Sequence, residues 1–86
     1  MNRPVIRVGD STSHGGAVEE GSAHFIVDGK PVARVGDKVS CPLHGDTTID
    51  SGSETYVTDG RPTARHGDTT ACGATLTATQ DHYFIR

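Results

Sequence analysis

Two cysteines and five histidines are the side chains of this 86-residue chain best suited to hold a soft metal ion. Three of them recur in one register: His14, Cys41 and Cys72 each lie four residues past an aspartate, respectively Asp10, Asp37 and Asp68. The second of these turns carries a further imidazole, in Cys41-Pro42-Leu43-His44. Thiolate sulfur and imidazole nitrogen are the usual ligands of structural zinc, and two of each close a tetrahedral shell. The register therefore predicts one structural zinc ion held by His14, Cys41, His44 and Cys72. A Cys41–Cys72 disulfide is the rival arrangement, and it leaves His14 and His44 without a role. His66 is a reserve ligand, while His24 and His82, each just before an aromatic residue, are assigned to the surface.

A catalytic zinc keeps one position open and needs a general base nearby. Four protein ligands leave no such position, and the chain has neither a His-Glu-x-x-His stretch nor a nucleophile elbow. The expectation is a protein that is not an enzyme.

The elements that must position these ligands are repeats. Pro4-Val-Ile-Arg-Val-Gly-Asp10, Pro31-Val-Ala-Arg-Val-Gly-Asp37 and Pro62-Thr-Ala-Arg-His-Gly-Asp68 align without gaps. Upstream, Phe25-Ile26 recurs as Tyr56-Val57, and Asp28-Gly29-Lys30 as Asp59-Gly60-Arg61; Tyr83-Phe84-Ile85 is a residual third copy. Asp-Gly between apolar runs is a strong hairpin signal, because both central residues must accept positive φ. A proline can start a strand without losing a ladder hydrogen bond. From Val32 to Asp37 the period is near two, and no helical face is visible. Units of about 30 residues cannot bury an apolar face alone, so the copies must pack on one another. The fold class expected is all-β: a small pseudo-threefold assembly of three hairpin-like repeats, forming a single domain over residues 1–86. In each motif, Arg7/Asp10, Arg34/Asp37 and Arg65/Asp68 are expected to pair locally or orient turns, with modest value if exposed.

Composition agrees. Only 16 residues are Leu, Ile, Val or Phe, and there is no tryptophan, so a core this thin calls for a staple. Yet Val, Ile and Thr number 23 and the net charge is −3, which favours pleated strands over solvated coil. The eight basic residues are scattered, so no stripe for nucleic acid exists. No apolar stretch approaches the ~20 residues of a membrane helix. The first ten residues lack the apolar segment of a secretory signal. Synthesis in the cytoplasm is expected, with any exit by another route.

With Pro4-Val-Ile-Arg7, Pro31-Val-Ala-Arg34 and Pro62-Thr-Ala-Arg65, each followed by Gly-Asp, and with His14-Gly-Gly and Cys41-Pro-Leu-His44-Gly, the chain resembles the PAAR family over essentially its whole length. None of the copies reads Pro-Ala-Ala-Arg literally. The resemblance implies a three-sided β cone with structural zinc near its point. It implies the same ligands, His14, Cys41, His44 and Cys72, although three-His, one-Cys shells also occur in the family. It further implies a cap, one copy per trimer, on a VgrG-like spike of a contractile injection or type VI secretion machine. Such a cap would aid membrane puncture, touching the target membrane transiently, and could attach effector proteins; the machine would eject it. A small zinc-dependent enzyme or secreted toxin is the alternative reading.

Overall fold

Both Asp-Gly pairs adopt the backbone their sequence demands. In the computed structural model, which describes residues 2–86, Asp28 and Gly29 have φ of 51° and 78°, and Asp59 and Gly60 have 53° and 78°. Positive φ at both central residues matches the right-handed twist of the flanking strands. Ten two-residue strands follow in order: β1 (Arg3–Pro4), β2 (Ser11–Thr12), β3 (Ile26–Val27), β4 (Lys30–Pro31), β5 (Lys38–Val39), β6 (Thr47–Thr48), β7 (Val57–Thr58), β8 (Arg61–Pro62), β9 (Leu76–Thr77) and β10 (Phe84–Ile85). No helix occurs among the described residues, and the molecule is all-β.

The Asp-Gly turns close the hairpins β3–β4 and β7–β8. The third hairpin of this kind has no turn. It is split, with β10 pairing antiparallel to β1 so that Arg3 faces Ile85 and Pro4 faces Phe84. Thus Tyr83-Phe84-Ile85 and the first Pro-x-x-Arg motif are two halves of one repeat, contributed by opposite ends of the described chain.

The repeats join around an axis. Ile6 N donates to Ala64 O (3.0 Å), Ala64 N to Ala33 O (3.0 Å) and Ala33 N to Ile6 O (2.8 Å), a closed ring of three hydrogen bonds. A second set of hairpins hangs from this ring, tied by Val18 N to Asp10 O, Ile49 N to Asp37 O and Leu76 N to Asp68 O. Each leans on its neighbour: β2 pairs with β9, Val18 bridges Val39, and Ile49 bridges Thr70. Such a cycle pairs the strand edges that an open sheet would leave exposed.

Successive residues of an extended segment point to opposite sides. Ile6, Ala33 and Ala64 therefore join Val18, Val39, Ile49 and Leu76 in one core cluster. Val5 and Val32 join Val27 and Ile85 in another, with Phe25 packed against it. Because both sides of the ring are covered, Val32 and Ala33 are both fully buried, and the expected in-out alternation fails there. In the third repeat the second cluster is polar: Thr58 and Thr63 replace its aliphatic pair, and their hydroxyls hydrogen-bond at 2.6 Å.

The Arg-x-Gly-Asp motifs do pair locally, but deep in the fold. Asp10, Asp37 and Asp68 are buried, each accepting the backbone N–H of its own arginine at 2.7–2.8 Å. Arg34 and Arg65 bind their aspartates through Nε and Nη2 at 2.9–3.0 Å. Arg7 departs: its Nη2 donates to Thr79 Oγ1 (3.1 Å), and that hydroxyl donates to Asp10 (2.5 Å). His24 and His82 lie on the surface, 3.0 Å from Asp59 and Asp28 of neighbouring hairpin turns.

Candidate metal centre

The tips of the second hairpin set carry the ligand candidates, and two of these tips are built alike. In Thr12-Ser-His14-Gly-Gly16 the Thr12 hydroxyl accepts from the N–H groups of His14 and Gly16, both at 3.2 Å. In Thr70-Ala-Cys72-Gly-Ala74 the Thr70 hydroxyl accepts from Ala74 N–H at 3.1 Å. Each turn then reverses at a glycine with positive φ, Gly15 at 84° and Gly73 at 89°. His14 and Cys72 so occupy one position in two copies of a single device. Between Val39 and Ile49 the second tip is four residues longer than its counterparts, and Cys41 begins a turn in which its carbonyl accepts from His44 N–H (3.2 Å) and Gly45 N–H (2.8 Å).

These turns bring His14, Cys41 and Cys72 together, with ligand atoms all within 4.8 Å of one another. The two sulfurs are 3.1 Å apart, and His14 Nδ1 lies 3.6 Å from each. Both cysteines are free thiols; Cys41 is buried and Cys72 partly exposed. The Cys72 thiol is lowered to about 6, first by its hydrogen bond with the Thr70 hydroxyl (3.1 Å), then by Cys41. Two thiols and an imidazole converging from three repeats suit a soft metal ion: the donor types match, and the thiolate form is favoured.

Of the four ligands expected from the register, three form this group. His44 stands beside it, exposed, its ring centroid 5.4 Å from that of His14. His66 is elsewhere: it takes the place of Val8 and Val35 in the repeat, and its Nδ1 accepts Ala78 N–H at 3.1 Å. The contribution of Thr70 is not evident from its residue type, although Thr12 stands at the equivalent place in the first repeat.

A family model for the PAAR motif matches residues 8–78. The chain belongs to the PAAR-motif family. A comparison with curated proteins returns no match. The matched segment of this PAAR chain contains all three ligand turns and both Asp-Gly hairpins, and leaves the split hairpin β1–β10 outside. PAAR motifs are associated with spike-tip proteins of type VI secretion systems, a structural rather than an enzymatic family.

Proposed function

We propose that this chain is the tip of a contractile injection machine, seated one copy per trimer on the blunt end of a VgrG-like spike. One observation carries the reading: a single chain presents three equivalent faces around one axis. On the side of the ring away from the sulfur-imidazole group, Phe25, Tyr56 and Tyr83 occupy equivalent places and touch one another. Phe25 lies 6.0 Å from Tyr56 and 5.2 Å from Tyr83 between ring centroids, and the two tyrosine hydroxyls are 3.2 Å apart. Around them Ile26, Val57 and Phe84, also equivalent, are 49%, 57% and 44% exposed. Apolar side chains repeated about an axis suit the end of a trimer, whose three chains offer the same surface three times.

In this reading the opposite end is the point. His14, Cys41 and Cys72, with His44 completing the shell, hold one zinc ion that ties three hairpin tips together. When bound, the ion supplies cross-linking rather than catalysis. Leu43, 67% exposed in the longest tip, is an apolar contact for the membrane that the point meets. The chain is made in the cytoplasm and leaves with the machine, with or without an attached effector.

The test is native mass spectrometry of the protein mixed with a trimeric spike encoded by the same source, alongside elemental analysis. The expected complex has one tip per three spike chains and one zinc per tip. Val57→Lys should weaken the complex while leaving the melting temperature of the free tip within a few degrees. A 3:3 complex, or no binding to any such trimer, would refute the reading.

A further inference from the structure

Cys41 and Cys72 come from neighbouring tips that are already joined through backbone. Ala71 N donates to Thr48 O at 2.9 Å, and Ile49 bridges Thr70. Their sulfurs stand 3.1 Å apart. Two thiolates on a tetrahedral zinc, with bonds of ~2.3 Å, are held about 3.8 Å apart. A disulfide needs about 2.05 Å. The tips thus let the sulfurs come closer than a metal would hold them, to within about 1 Å of a covalent bond. His14, at the same repeat position, cannot take part in such a bond.

We propose that Cys41 and Cys72 form a second staple, an intramolecular disulfide that closes when the metal ion is withdrawn and a small-molecule disulfide oxidant is present. The proposal rests on the metal reading only for the order of the two states. The partly exposed Cys72 thiolate attacks one sulfur of the oxidant R–S–S–R, whose S–S bond breaks and releases R–S⁻. Cys41 then gives its proton to water, and its thiolate attacks Cys72 Sγ, forming the Cys41–Cys72 bond and expelling the second R–S⁻. The two cysteines lose two electrons and two protons, and one R–S–S–R becomes two R–SH. A thiolate bound to a metal is not free for the first step, so the two staples exclude each other.

The experiment uses the whole chain with glutathione disulfide as oxidant, in metal-loaded and chelator-treated forms, plus a chelator-treated sample kept in reductant. Each sample is denatured in alkylating reagent for intact mass, and metal is measured by elemental analysis. The chelated, oxidised sample alone should be two hydrogens lighter, monomeric and unalkylated, and should rebind zinc only after reduction. Because stripping the metal could unfold the chain, the oxidation is repeated in guanidinium. Closure there should be about tenfold slower or more, as loss of effective concentration requires. Two alkylatable thiols after prolonged oxidation, intermolecular dimers or stable glutathione adducts in place of the internal bond, equal rates with and without denaturant, or a disulfide form that still binds stoichiometric zinc would each overturn the proposal. A chain that never binds zinc yet closes the bond would refute the metal reading alone.

Discussion

Replacing Thr58 by valine removes one hydroxyl from the buried pair with Thr63 and leaves the other without its partner. The two oxygens are 2.6 Å apart, and the residues are 6% and 0% exposed. An orphaned buried hydroxyl costs about 1–3 kcal/mol, whereas replacing both partners by apolar groups of similar shape can be nearly neutral. The other two repeats already hold the apolar version: Val27 beside Val32, and Ile85 beside Val5. Thr58→Val and Thr63→Val should therefore each lower stability by about 1–3 kcal/mol, and the double variant by less than either. In a domain of this size each kcal/mol moves the melting temperature by about 4–8 °C. Thermal unfolding of the four proteins at fixed, saturating zinc completes the cycle, since free metal would itself shift the midpoint. Additive costs, with the double variant the least stable, would show that the hydroxyls do not depend on each other and refute the reasoning.

Four other outcomes are expected. Chelation of the reduced protein should lower the melting temperature sharply while the chain stays folded at room temperature, because binding the metal stabilises the folded state that holds it; an unchanged melt after verified metal removal would contradict this. Asp37→Asn should cost about 1.5–3 kcal/mol by denaturant titration, since it takes the charge from a buried acceptor bound by Arg34 and, at 3.1 Å, by Arg61, while Arg34 keeps its pair with Asp59. By contrast Asp46→Asn, which breaks only the exposed pair with Lys38, should change stability by less than about 1 kcal/mol in the same denaturant titration. In reduced, metal-free protein Cys72 should be alkylated before Cys41. Its rate should rise with pH through about 6 as the thiolate forms and level off above, which peptide mapping of partially alkylated samples at several pH values would check.

Much of this molecule is legible in its sequence because the repeats share one register. Asp28-Gly29 and Asp59-Gly60 announce hairpins through a local requirement for positive φ, and the equivalent placement of His14, Cys41 and Cys72 announces their convergence. What stays hidden is non-local. Nothing near Pro4 or Phe84 signals that they meet; only the complementary gaps do, since the first motif lacks a preceding aromatic strand and the last aromatic strand lacks a following motif. The Arg-x-Gly-Asp motifs show their local pairing in sequence but not the burial of their carboxylates, because burial depends on the closed ring, not on neighbours in sequence. His44 belongs to the one enlarged tip, where no second copy fixes its position, and the register places it less tightly than the other three.

The split hairpin gives the fold the topology of a closed necklace. Its clasp joins residues about eighty positions apart, so nearly the whole chain must be gathered before the first repeat is complete, and closing so long a loop carries an entropic cost that delays the contacts beyond it. A necklace can be opened at any bead. A permuted chain with residue 86 linked to residue 2 through an Asp-Gly turn, and cut between Asp28 and Gly29, would keep every strand pairing while making that clasp local. The former β3–β4 hairpin would become the long-range closure in its place. If the clasp governs assembly, refolding of the permutant should change rate through β10–β1 while the equilibrium melt stays close to that of the parent; identical refolding rates would show that another step limits the folding of this ring.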